Sequence, residues 1–420
     1  MGNDKRLVPD FRIDQYEGRA TIIRPDRRPV ELLLQDAANL RSIVTRYALQ
    51  VEKARPLGLP VPKDAAQNFL SFAKRLAYGC FVDATRGQYK ILRDALDIVT
   101  TEMSKAMVRG KPMCVEITDN SGEYLPWEWL GVLDRGEDHI SEALSTLGFA
   151  AIVYRRAPQE EASHEGMAAD YLDAEPRLPV LFFRNPELYG TRNEQRFFRY
   201  NKYIELLGPL PEHSPDGQLD LAEHLVDPSG GISGTSRDRP DQAVHISCHH
   251  EEKVDLKTAS AFSLLQSESL LKFGRDDEPN FEISLSNLGF DLTVANIRRE
   301  SVQMPLIFFN ACRGSFYPFT TESAMRVLLR NGNRGVISTA VNVPDDAAAE
   351  LGRFFYERLL DGDCTAPEAL LHARWALLHG RACPLGLLYS YYGIPDLRVL
   401  PVRCVHGENP IVNMLNGGSR

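Results

Sequence analysis

Four short apolar runs in the second half of the chain constrain its fold most strongly: Val180 to Phe183, Ala243 to Ser247, Leu306 to Phe309 and Gly335 to Thr339. Each is four or five residues long and mostly apolar, with Val, Ile or Phe in every one, which is how strands buried on both faces of a parallel sheet read. Helical stretches fall between and after them, at Glu194 to Leu207, Thr321 to Arg330, Asp345 to Leu360 and Ala366 to His379. Such alternation predicts an α/β fold, a mainly parallel sheet flanked by helices.

The first half has a different texture. Apolar residues recur at three and four in Val30 to Glu52, Asp64 to Tyr78 and Gln88 to Met107, which predicts a mainly helical region over 1–111. Strands are expected at Met113 to Ile117 and Phe149 to Tyr154, with the aromatic segment YLPWEWL (Tyr124 to Leu130) between them. Trp127 and Trp129 alternate, so one ring is expected in the core and the other over an interdomain seam. The charged stretch Ala157 to Arg177 reads as an exposed linker. This predicts four parts: 1–111, 112–177, 178–403 and a tail at 404–420.

Composition excludes several classes of function. With 43% hydrophobic and 25% charged residues the chain is of globular type, and 57 acidic against 48 basic residues argue against nucleic acid as a ligand. No segment approaches the roughly 18 apolar residues of a membrane span, and the N-terminal MGNDKRLVPDFRID lacks a signal peptide's apolar core. Arg6 occupies the place where a myristoylation signal needs Ser or Thr. Seven scattered cysteines, an odd number with no CxxC pair, fit reduced thiols and a cytoplasmic setting. There is no phosphate-binding G-x-x-x-x-G-K-[ST] loop and no HExxH pair.

In parallel sheets the reactive groups gather beyond the carboxyl ends of the strands. Two such ends carry chemistry here: VHISCHH, running into Cys248, His249 and His250, and LIFFNACRGS, running into Asn310, Ala311, Cys312 and Arg313. A cysteine at a strand end beside an imidazole can be deprotonated and attack a carbonyl carbon. Taken alone, Cys312 reads equally as a small buried apolar residue. Asn-Ala-Cys-Arg-Gly, however, matches four of five positions of the caspase signature, with His249 63 residues upstream. His245, Cys248, His249 and His250 also form a possible zinc cluster, although no second ligand pair accompanies it.

Six blocks in order then resemble the CHAT peptidases, relatives of caspases and separase, over about Pro112 to Val402: LPWEWL, LPVLFFRNPE, VHISCHH, NAC, GVISTAVNVPDD and SYYGIPDLRV. The resemblance implies a cysteine endopeptidase with Cys312 as nucleophile and His249 as base, and an inactive protease-like half before the active one. It also implies oxyanion donors from the backbone N–H groups of Cys312 and His250. His250 stands where the family has Gly, which is expected to add bulk beside the nucleophile. On a strand, His245, Ser247 and His249 share one side, and His249 is expected just past the strand's end. Asp241, Glu251 and Asp255 remain open as the group that orients it. The resemblance places the first specificity pocket at Asn310 and at Thr339 to Asp346. Neither carries a cation, and Asp345 and Asp346 would suit a substrate Arg or Lys, although both acids equally suit a helix start. No cofactor is needed. The partners expected are protein substrates and an upstream activating protease or sensor, in bacterial defence or cell death. The polar stretch Gly208 to Gln242, with Arg237 and Arg239, is the expected processing loop.

Overall fold

The computed structural model describes residues 7–26, 28–34, 36–81, 94, 96–102, 104–106, 111–121, 124–132, 136–156, 171–210, 217–226, 240–253, 268–274, 282–298, 304–311 and 324–400. The chain divides into two compact units, one of residues 1–158, 354–391 and 403–420, the other of residues 159–353 and 392–402.

The first unit opens with strands rather than helices. β1 (Phe11–Tyr16), β2 (Arg19–Ile23) and β3 (Val30–Leu33) form an antiparallel meander, and β1 then pairs in parallel with β4 (Met113–Asp119), which pairs in parallel with β5 (Ala151–Arg156). The helix expected from Val30 starts at Ala37 instead, capped by the Asp36 carboxylate accepting from the Asn39 N–H. Period-two burial of Phe11, Ile13 and Gln15 is the signal that marks β1 as a strand. Helix Lys63–Phe81 is amphipathic as expected, burying Phe69, Leu70, Ala73, Ala77 and Cys80.

Both tryptophans of YLPWEWL are buried. Trp127 packs on Phe81 with ring centroids 4.3 Å apart and donates to Gln15 Oε1 at 2.9 Å. Glu128 between them is completely buried, and Arg155 of β5 engages it through two guanidinium nitrogens, one at 3.0 Å. Burial works to raise the Glu128 carboxyl's pKa, but Arg155 outweighs it and holds the group below the ordinary glutamate value. Removing one half of such a pair strands the other charge, so Glu128→Ala is expected to cost about 3–5 kcal/mol of stability. Its sign with pH follows from the depressed folded value. The contribution is complete above the unfolded Glu pKa of about 4.3 and disappears as pH falls through the lower folded value. Urea midpoints measured between pH 3 and 7 should therefore fall less steeply for Glu128→Gln than for the parent.

In the second unit β7 (Leu178–Arg184), β8 (Ile204–Leu210), β9 (Ala243–Lys253), β12 (Leu306–Ala311) and β13 (Gly335–Thr339) form a parallel sheet in the order β8-β7-β9-β12-β13. β10 (Glu268–Lys272) and β11 (Glu282–Ser284) extend it antiparallel beyond β9. β6 (Tyr171–Asp173) pairs with β15 (Arg398–Leu400) in a separate two-stranded sheet, and β14 (Tyr389–Gly393) carries the chain from the first unit into the second. The four apolar runs all lie in parallel strands with both faces covered. On one face Phe182 packs against Phe198 of helix Tyr189–Tyr200, while on the other Phe183 meets His224 of helix Gly217–Val226.

Two expectations shift. The helix expected over Glu194 to Leu207 occupies Tyr189–Tyr200 and then gives way to β8, because the Asn201 side chain accepts from the Tyr203 N–H at 3.0 Å and turns the chain into the apolar run of β8. β9 does not end at Ser247 but continues to Lys253, its charged second half answered on β10 by a 2.7 Å pair between Lys272 and Glu251. Among the described residues no helix is long and apolar enough to cross a membrane.

Candidate active site

β9 changes partners at His249. Residues 243–247 pair with β7 on one edge, and residues 249–253 pair with β10 on that same edge. On the other edge the register with β12 runs from Ala243↔Leu306 to Cys248↔Ala311. His249 follows the last described β12 pairing and lies within its own strand, not past its end. It is exposed, whereas His245 and Ser247 on the same side are buried. Asn185 marks the changeover. Its N–H donates to Ser247 O at 2.7 Å, and its side-chain amide donates to Lys272 O at 3.2 Å and Gly274 O at 3.3 Å. This asparagine of LPVLFFRNPE joins the ends of β7, β9 and β10, a role that no pattern in the sequence announces.

His250 is buried against Phe309 on the opposite face of β9, so its imidazole does not crowd His249. Cys248 is buried on that opposite face as well. The four residues weighed as zinc ligands are therefore split, His245 and His249 to one side and Cys248 and His250 to the other. A single metal ion cannot gather them without breaking the strand.

Beneath His249 lies a buried polar cluster. Glu194, from helix Tyr189–Tyr200, accepts from Ser247 Oγ at 2.6 Å through Oε2 and from Asn310 Nδ2 at 2.7 Å through Oε1, with His245 Nε2 3.1 Å from Oε1. Burial works to raise the Glu194 carboxyl's pKa, but His245, Ser247 and Asn310 outweigh it and hold it below the ordinary value. His245 stacks on Phe308 at 5.0 Å, with Phe198 at 5.0 Å and Phe182 at 5.5 Å, and is the packing residue that its strand position suggests. Gly352 of helix Asp345–Leu360 closes this box, since a Cβ there would lie 3.2 Å from His245 Cε1.

Asp345 and Asp346 begin helix Asp345–Leu360, so they do serve the helix start. Their environments differ. Asp346 Oδ1 accepts from the Ala347 N–H at 2.8 Å. Asp345 is half-buried beside the start of helix Tyr189–Tyr200, where a Cβ on Gly190 would fall 2.3 Å from the Asp345 carbonyl oxygen, so only glycine fits. Burial raises the Asp345 carboxyl above the ordinary aspartate value. His249 and the Tyr189 N–H oppose the rise, and the Glu194 and Asp346 charges add to it. Asp345 thus shares the electrostatic field of His249. Of the acids left open for that imidazole, Asp241 lies 3.2 Å from His224 and Glu251 is held by Lys272, while Asp255 falls outside the described residues. Cys312, Arg237 and Arg239 also lie outside them. Asn310, assigned to a pocket wall from sequence, has its side-chain amide engaged by Glu194. Glu194 itself escaped sequence reading because it sits among the charges of a very polar helix, TRNEQRFFR.

The CHAT domain family model matches residues 222–403, the family that the sequence motifs resemble. The match takes in His249, Asn310, Cys312, Asp345 and Asp346 and leaves Asn185 and Glu194 outside. No curated protein matches the chain. Among solved structures, the Saccharomyces cerevisiae separase–securin complex at 2.6 Å resolution is similar with TM-score 0.49 and 10% identity, over 93% of this chain and 30% of that chain. A second structure of that complex, at 3.0 Å, gives TM-score 0.37 and 12% identity over 86% and 22%. The chain spans less than a third of the solved chains that it matches.

Proposed function

We propose that this chain, with the CHAT match over its second half, is a caspase-like cysteine endopeptidase that cleaves after Arg or Lys. One observation supports the reading: the described β9–β12 register reaches Cys248↔Ala311, and the residues that follow these two in the sequence are His249 and Cys312. Parallel neighbours run about 4.8 Å apart, so two side chains that follow one rung and share a face are within reach of each other. His249 is exposed there, as a base must be to meet a substrate.

On this reading His249 takes the Cys312 thiol proton, and the thiolate attacks the carbonyl carbon of the scissile bond. The backbone N–H groups of Cys312 and His250 receive the oxyanion. Collapse expels the amine with the proton held by His249 and leaves a thioester. Water, deprotonated by the same imidazole, then frees the acid and restores the thiol. Asp345 supports the substrate class, because a half-buried carboxylate whose charge is penalised by burial gains when a guanidinium or ammonium arrives. The macromolecules implied are protein substrates and an upstream activating protease or sensor acting on the loop with Arg237 and Arg239.

A panel of fluorogenic peptides that differ only before the cut tests this. Cleavage is expected after Arg and Lys, with neutral residues at least about 10-fold poorer. A preference for Asp would contradict the pocket.

A further inference from the structure

We propose that Glu194 is a positioning residue for the Cys312/His249 dyad, its one buried carboxylate tying β9 to β12 at the register pair Ser247↔Asn310. The inference rests on the dyad reading and adds a residue outside the segment matched by the family model. Its two oxygens take hydrogen bonds from Ser247 of β9 and Asn310 of β12, which are register partners. His249 stands two residues beyond the first and Cys312 two beyond the second. The link thus joins the two segments from which the chain runs on to His249 and Cys312.

A charged side-chain bridge between the two register partners fixes how β9 and β12 lie against each other two residues before the dyad positions. Both bonds are charge-assisted, and that from Ser247 is made in a dry setting, with Glu194 4% exposed and Ser247 2% exposed, where such bonds are strongest and most directional. Two other uses of the cluster fail on geometry. A Ser247–His245–Glu194 relay would need serine and acid on opposite ring nitrogens, but both approach Nε2, and all three residues are buried away from any substrate. Direct recognition of a substrate cation by Glu194 fails because its oxygens already serve three partners.

Glutamine at 194 can keep the link, since its carbonyl accepts from Asn310 and the Ser247 hydroxyl can turn to accept from its amide. Alanine removes the link altogether. A 1 Å displacement at a reacting pair costs on the order of 100-fold. Steady-state kinetics on the full chain, normalised to sites titrated with a peptidyl-arginine chloromethyl ketone, should show kcat per site lowered about 100-fold in Glu194→Ala with KM changed less than about threefold. Glu194→Gln should recover to within about 10-fold of the parent. A merely structural loss would reduce the number of titrated sites and leave kcat per site unchanged. If Glu194→Ala does not fold, Ser247→Ala removes half of the link and should lower kcat per site about 3- to 10-fold at unchanged KM. Parent-like kcat per site in the folded variant, or equal damage from Gln and Ala, would overturn the inference while a dead Cys312→Ala leaves the dyad standing. Activity surviving in Cys312→Ala would overturn the dyad and this inference together.

Discussion

Cys312→Ala and His249→Ala are each expected to lower kcat/KM toward an Arg peptide by at least about 10⁴-fold, because nucleophile and base act as one unit and the loss of either forfeits the covalent route. The double variant should be no worse than either single one. His249→Ala should not alter the fold, since that side chain is exposed. Cys248→Ala is the internal control. Its side chain is buried on the other face of β9, so it should retain activity within a fewfold of the parent, and any loss should follow from packing alone. Thermal unfolding of the variants separates the two cases. An inactive Cys312→Ala that melts with the parent fits the account, whereas an active one, or a dead Cys248→Ala of parental stability, would move the nucleophile.

Asp345→Asn is the second large effect. Its carboxylate is half-buried, it interacts electrostatically with His249, and burial penalises its charge until a cation pairs with it. Losing one partner of such a pair costs about 2 kcal/mol at the low end that partial exposure dictates, or roughly 30-fold in kcat/KM. The loss should fall on Arg and Lys substrates and leave a neutral residue at that position almost unaffected, so the ratio collapses rather than the overall rate. Asp346→Asn should change the ratio less than about threefold, because that carboxylate already accepts from the Ala347 N–H. Equal loss on charged and neutral substrates in Asp345→Asn would instead mean that the acid acts through His249.

Much of this site is legible in the sequence because buried parallel strands announce themselves. The run from Gly335 to Thr339 and the helix Asp345–Leu360 lie where their patterns place them, the first short and β-branched and the second opened by two acids and continued at helical spacing. The face of β9 that carries His245, Ser247 and His249 follows from alternation alone. The continuation of β9 through CHHEEK does not, since six polar and charged residues read as a loop until β10 supplies the partner. The N-terminal meander was hidden for a related reason: Val30–Leu33 adjoins a real helix at Ala37, and the two periodicities blur over so short a strand. Glu194 and Asn185 are the deeper omissions. A glutamate in TRNEQRFFR has the sequence signature of a solvated charge, and an asparagine before proline that of a turn. Only the folded chain brings the first under Asn310 and the second against Lys272. Contacts over 116 and 87 residues of separation leave no local trace.

The most direct test of the central claim is alkylation of the native full chain with substoichiometric iodoacetamide near neutral pH, followed by peptide mapping. Cys80, Cys114, Cys248, Cys364 and Cys383 are buried, and burial pushes the Cys80 thiol up to about 12, so these sulfurs should react slowly. The account predicts that the peptide bearing Cys312 is labelled first, in step with loss of peptidase activity, and that His249→Ala slows that labelling at least about 10-fold. Labelling of Cys248 ahead of Cys312, or a Cys312 rate indifferent to His249, would contradict it.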